Sequence, residues 1–136
     1  MTAAPAIRRV VETALYVDDM DRAVAFYRDV LGFPVLSAGA RLTALDAGAG
    51  TLLLLFARGA TLEGLRWPGG FIPPHDGAGP LHVAFGIDGE AFPAWDAALA
   101  ERGIAVESRV TWERGGRSLY FRDPDGSLME FISYQS

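Results

Sequence analysis

The sequence predicts an α+β fold made of two tandem βαβββ modules, and three observations carry that prediction. Two segments open a strand in nearly the same way, Glu12-Thr-Ala-Leu-Tyr-Val17-Asp18 and His82-Val-Ala-Phe-Gly-Ile87-Asp88, each beginning with a residue type that ligates metals. A stretch with helical spacing follows each, Asp21 to Leu31 and Ala91 to Arg102, and closes at Gly32-Phe33 or Gly103-Ile104. From the first residue of the strand to that glycine is 20 residues in one copy and 21 in the other. The ends align as well, Asp46-Ala-Gly-Ala-Gly50-Thr51-Leu-Leu-Leu54 with Asp123-Pro-Asp-Gly126-Ser127-Leu-Met-Glu130. A fixed internal period of this kind marks a duplicated structural unit.

Val10 to Val17 reads as a buried strand, and Asp18 or Asp19 supplies the side-chain oxygen that caps the next helix. Ala23, Phe26, Tyr27 and Val30 recur at three- and four-residue spacing, which gives that helix one apolar face. Pro34 blocks its continuation. Three short strands separated by glycine turns follow, Val35 to Ala38, Arg41 to Asp46 and Thr51 to Phe56. The second copy offers Leu81 to Ile87, a helix around Phe92 to Leu99, and strands at Ala105 to Thr111, Arg117 to Arg122 and Ser127 to Ser133. Asp123-Pro-Asp-Gly126 is a turn, since proline presets one dihedral and glycine accepts positive φ. Phe26, Tyr27, Phe92 and Trp95 read as core residues of the two helices. The expected organisation is one domain over residues 1–136, with module 1 at about 10–57, a Gly- and Pro-rich connector at 57–80 and module 2 at about 81–134.

Half of the residues are hydrophobic, enough to bury a substantial interior. With 17 acidic against 12 basic residues and no long basic run, the surface carries no footprint for nucleic acid or an anionic membrane, so the expected partner is a small molecule. There is no cysteine, which removes disulfides, thiolate metal sites and a cysteine nucleophile. No apolar run approaches the ~20 residues of a membrane span, and Met1 to Arg9 holds no signal-peptide core, so a cytoplasmic location is the expectation.

A duplicated unit of this length, with Leu15-Tyr-Val-Asp-Asp-Met20, Ala25-Phe-Tyr27, Leu31-Gly-Phe33, Leu81-His-Val-Ala-Phe85 and Leu119-Tyr-Phe-Arg-Asp-Pro-Asp-Gly126 followed by Glu130, resembles the vicinal oxygen chelate superfamily. That group includes glyoxalase I, the bleomycin-resistance proteins, extradiol dioxygenases and fosfomycin-resistance transferases. The resemblance covers Val10 to Tyr134 and implies that each module curls into half a barrel, a curved mixed sheet, with a divalent metal at the base of the cavity between paired modules. A homodimer is the further expectation, because each module alone leaves an unpaired sheet edge and the 57–80 connector lets modules pair within a chain or across chains.

The resemblance further implies a ligand set. Strand side chains alternate, so Glu12, Ala14 and Tyr16 share a face, as do His82, Ala84 and Gly86, and likewise Leu128, Glu130 and Ile132. Glu12, His82 and Glu130 then hold the metal, with Glu12 where many relatives have histidine. Carboxylate and imidazole together suit Mn, Fe, Ni or Zn, and the added charge shifts preference towards harder ions such as Mg. The fourth position, by internal alignment, is Leu54, which cannot ligate. Three protein ligands leave open positions for a chelating substrate. Against the metal stands an ion pair of Glu12 or Glu130 with an inward arginine such as Arg41 or Arg117, which would leave a binding module.

Glu130 and Tyr120 are the expected catalytic residues, and Tyr16, Ser118, Tyr120, His75 and Trp67 the expected substrate contacts. For Tyr120 the alternative is packing at the barrel wall, and for His75 a solvated loop. Trp67, Phe71 and Trp112 suit either an aromatic lid or a dimer contact. Asp123 and Asp125 belong to a turn and take no catalytic role. The enzyme expected is a metal-dependent lyase, isomerase or dioxygenase that chelates neighbouring oxygens of a small substrate. Its rival is a non-catalytic, drug-sequestering protein of the bleomycin-resistance kind.

Overall fold

The computed structural model describes residues 3–113 and 115–134. The order is β1 (Glu12–Val17), α1 (Met20–Ala25), β2 (Val35–Ser37), β3 (Leu42–Asp46), β4 (Leu52–Ala57), β5 (Leu65–Trp67), β6 (Gly70–Ile72), β7 (His82–Gly86), α2 (Phe92–Glu101), β8 (Ser108–Thr111), β9 (Arg117–Arg122) and β10 (Leu128–Ser133). Helix α1 runs on through a wider π-type stretch, Phe26–Val30, and a single 3₁₀ turn at Gly89–Ala91 leads into α2. Asp19 is the residue that caps α1, its carboxylate accepting the Arg22 N–H at 3.1 Å.

The duplication is exact in topology. One mixed sheet has the order β1-β4-β3-β2 and the other β7-β10-β9-β8, so β1 and β7 each lie on an edge. In both, the first strand of the module pairs in parallel with the last: Glu12 opposite Leu52 and Ala14 opposite Leu54 in one, His82 opposite Leu128 and Ala84 opposite Glu130 in the other. Ala44 pairs with Leu54 where Tyr120 pairs with Glu130, and Leu42 with Phe56 where Ser118 pairs with Ile132. Leu54 is therefore the structural counterpart of Glu130.

Alternation along these strands divides each sheet into a sealed face and an open one. Leu15, Val17, Leu53, Leu55, Leu119, Phe121, Met129 and Phe131 are buried and join Ala23, Tyr27 and Leu31 from the first helix with Phe92 and Leu99 from the second in one core. The first helical segment reaches across to the second module. Phe33 meets Phe85 edge-on at 5.3 Å, and the Tyr27 phenol donates to Asp123 Oδ2 at 2.6 Å. The Asp18 N–H donates to Asp125 Oδ1 and Arg22 to the Pro124 carbonyl, so the Asp123–Ser127 turn sits on the β1–α1 junction.

Several strands are shorter than the pattern predicts, β7 among them, at His82–Gly86 against Leu81 to Ile87. β1 begins at Glu12, with Val10 and Val11 exposed and the Val11 carbonyl accepting the Leu52 N–H, and β8 begins at Ser108. The connector contains the unforeseen hairpin β5–β6, which leaves Leu62, Trp67, Phe71 and Ile72 exposed. Among the described residues no helix is long and apolar enough to cross a membrane.

Candidate functional site

On the open face of the second sheet, β7, β9 and β10 bring His82, Ser118, Tyr120 and Glu130 together. Glu130 is 6% exposed, unusual for a carboxylate on an otherwise apolar strand, and its two oxygens have separate partners. Oε2 accepts the Ser118 hydroxyl at 2.5 Å, and Oε1 lies 3.2 Å from His82 Nε2. Ser118 Oγ in turn accepts the indole N–H of Trp112 at 2.9 Å. The Tyr120 ring stacks beside His82 at 6.4 Å. Desolvation first, then the charge of Glu130, hold the Tyr120 phenol above its ordinary pKa. A tyrosine hydroxyl is protonated at neutral pH in any case and is a hydrogen-bond donor.

The protonation of His82 decides what this pair does. Its Nδ1 lies 2.8 Å from the Leu128 carbonyl, which only accepts, so Nδ1 carries the hydrogen. In the neutral ring Nε2 then directs a lone pair at a carboxylate oxygen. That contact is favourable only when a proton or a metal cation lies between them. Two donors each about 2.1 Å from an ion stand ~3.0 Å apart at a right angle and ~3.4 Å at the tetrahedral angle; the observed 3.2 Å falls between. Carbonyl support on the far nitrogen is also what ordinarily orients a metal-binding histidine. The separation of His82 and Glu130 suits either a shared proton or a divalent ion.

Glu12 lies on the other sheet. Among the described residues no three His, Asp or Glu side chains converge on one point, so one chain brings together His82 and Glu130 but not Glu12. The open face of the first sheet is mostly apolar, with Ala14, Leu42, Ala44, Leu52 and Leu54 half-buried. Its polar feature is at the far end of β1, where the Tyr16 hydroxyl meets His75 Nδ1 at 2.7 Å and both rings pack on Phe56. His75 is delivered by the connector, whose backbone is held at that residue by Thr61 through both its N–H and its carbonyl.

A family model described as the Glyoxalase/Bleomycin resistance protein/Dioxygenase superfamily matches residues 9–131. The chain belongs to this superfamily. The crystal structure of a lactoylglutathione lyase from Agrobacterium tumefaciens is similar with a TM-score of 0.82 and 34% identity, covering 92% of each chain. A metallothiol transferase FosB from Shouchella clausii is 30% identical over 116 residues, 84% of this chain and 72% of the relative. TnmS3, an antibiotic-binding protein from Streptomyces sp. CB03234, is 27% identical with a TM-score of 0.69, covering 97% of this chain and 100% of the other.

Members of one superfamily thus include lyases, transferases and binders, and the side chains of this chain have to discriminate among them. The ion-pair alternative finds no support among the described residues. Arg41 lies over Phe56 with Nε donating to the Ala60 carbonyl, and Arg117 lies over Phe92 with Nη2 donating to the Gly89 carbonyl. Neither forms an ion pair with Glu12 or Glu130. Ser118, expected to meet substrate, is 2% exposed and donates its hydroxyl hydrogen to Glu130. Trp67 stands on the β5–β6 hairpin and is exposed. His75 is more than a solvated loop residue, because Tyr16, Phe56 and Thr61 all hold it. Trp112 was legible only as a lid or dimer contact; its bond to Ser118 follows from a tight turn that brings it back over β9.

Proposed function

We propose that this chain is a divalent-metal-dependent enzyme, a lyase or isomerase acting on a small substrate with neighbouring oxygens, and that it works as a homodimer. The observation that carries the reading is the His82 Nε2–Glu130 Oε1 contact, with His82 Nδ1 already committed to the Leu128 carbonyl. A ring-cleaving dioxygenase is less well supported, since two histidines and one carboxylate are its expected ligands and the candidate set here has one histidine.

Glu12, His82 and Glu130 would hold the ion. When bound, it supplies Lewis acidity that polarises chelating oxygens. The residues around it have distinct tasks. Tyr120, kept neutral, donates a hydrogen bond to an oxygen that gains charge, and Glu130 is the group placed to accept a proton. The apolar strip from Ala14 and Leu54 to Phe56 suits the body of the substrate, and the Tyr16–His75 pair its far end.

The sheet edges support the homodimer reading. Glu12 belongs to the β1 edge sheet and the pair to the β7 edge sheet, with both edges unpaired among the described residues. Two copies related by a two-fold axis can join the first module of one to the second module of the other.

The test is metal binding by protein purified without a histidine tag, stripped with chelator and titrated with Mn²⁺ or Zn²⁺. His82→Ala and Glu130→Ala should each abolish tight binding and the metal-dependent rise in Tm. Mixing His82→Ala chains with Glu12→Ala chains should restore binding in the mixed dimer, because one of its two sites is then intact. If metal content and metal-dependent stabilisation survive both single substitutions, the reading is wrong.

A further inference from the structure

We propose that Trp112 is a positioning residue for Glu130, acting through Ser118, so that a partly exposed indole sets the aim of the buried carboxylate. The inference rests on Glu130 being a metal ligand and extends that reading to a residue outside the ligand set.

The direction of the hydrogen bonds is forced by the chemistry of the three groups. An indole nitrogen only donates, and an ionised carboxylate only accepts. Ser118 has one hydrogen, which goes to Glu130 Oε2 at 2.5 Å, and its lone pair accepts from Trp112 Nε1 at 2.9 Å. Each group has the one role open to it, and a chain polarised in one direction strengthens its own links. Ser118 is 2% exposed, so bulk water has little access to replace the indole. With Oε2 held in this way, Oε1 is the oxygen left facing His82.

The local backbone is built to bring the indole there. Trp112 follows β8 directly, its N–H donates to the Gly116 carbonyl, and the Gly115 N–H returns to the Trp112 carbonyl. Gly115 and Gly116 have φ of 85° and 88°, two successive left-handed positions that a side chain would resist, and β9 starts at once with Arg117. Core packing does not explain the residue, since Trp112 stays 43% exposed.

The duplication supplies an internal comparison. In the first module the counterpart of Glu130 is Leu54, and the counterpart of Ser118 is Leu42. Hydroxyl and carboxylate are present together in one module and absent together from the other, as expected if the serine serves the carboxylate.

The test is a double-mutant cycle read as Mn²⁺ affinity by calorimetry, on protein whose metal-free unfolding midpoint is recorded in parallel. Trp112→Phe keeps an aromatic side chain, smaller than the indole, and removes the N–H, and should weaken Mn²⁺ binding about tenfold, the lower end of the range for outer-shell partners. Ser118→Ala should weaken it at least as much. The double variant should be no weaker than Ser118→Ala alone, because both substitutions break the same chain of bonds. Wild-type Mn²⁺ affinity in Trp112→Phe, or losses that simply add, would overturn the inference. Glu130→Ala, run beside them, separates the two levels: if it too leaves Mn²⁺ binding intact, the metal reading falls and this inference with it.

Discussion

Replacing Tyr27 by phenylalanine tests how the first module is fastened to the turn that precedes the site strand. The substitution removes one oxygen and leaves the aromatic packing, edge-on with Phe26 at 5.2 Å and stacked with Phe33 at 6.3 Å. That oxygen donates to Asp123 Oδ2 at 2.6 Å, while Asp123 Oδ1 keeps the N–H groups of Asp125 and Ser127. Tyr27 is fully buried and Asp123 is nearly so, leaving Oδ2 short of a partner in the variant. A hydrogen bond to a charged group contributes about 1.5–3 kcal/mol, and that is the expected loss in urea unfolding at pH 7. For a chain of this size the loss lowers Tm by roughly 5–15 °C. Burial first, then the charge and hydrogen bond of Asp123, raise the Tyr27 pKa above its ordinary value in the folded state. The folded chain therefore holds this proton more tightly than the unfolded one. Its stabilising effect is complete below the unfolded pKa of about 10 and declines as pH rises beyond it, by about 1.4 kcal/mol per pH unit. The gap between wild type and variant should narrow along that slope above pH 10. A difference below about 0.5 kcal/mol at pH 7, or a gap that does not change in alkali, would refute the argument.

What the sequence discloses here depends on how local the determining contacts are. The two-residue period of β1, β4 and β10 separates the sealed face from the open one, and the register confirms the equivalences Glu12 with His82 and Leu54 with Glu130. Tyr27 was legible as a core residue, but its partner Asp123 lies 96 residues away, and nothing in helical spacing points to it. The hairpin β5–β6 has three residues per strand in a connector dense with glycine and proline, too short for an alternation to register. Ser118 read as a cavity-facing hydroxyl because alternation gives the face of a side chain and says nothing of its exposure. Whether Glu12 reaches His82 depends on how modules pair, and two modules with equivalent open edges offer the chain more than one way to do so.

Two further substitutions probe the first module. Gly77→Ala would place a methyl group in collision with the Tyr16 ring, where the added carbon meets ring atoms at a distance real contacts do not reach. Overpacking of this kind costs about 1–3 kcal/mol, whereas Gly69→Ala in the same connector has nothing within 4 Å and should unfold like wild type; equal midpoints for the two would show that the connector does not rest on Tyr16. Leu54→Glu tests the duplication as chemistry. Its register neighbours, Ala14 and Ala44, are small, and Glu130 stands at the equivalent place between Ala84 and Tyr120. Without metal, the new carboxylate is half-buried among apolar side chains and should lower stability. With Mn²⁺ it adds a fourth protein ligand on the face that carries Glu12, so affinity should rise about tenfold, equivalent to ~1.4 kcal/mol. The two effects have opposite sign, so the metal-dependent rise in Tm should exceed that of wild type even though the metal-free midpoint is lower. A folded Leu54→Glu protein with unchanged Mn²⁺ affinity would mean that Glu12 and residue 54 do not face the ion held by His82 and Glu130.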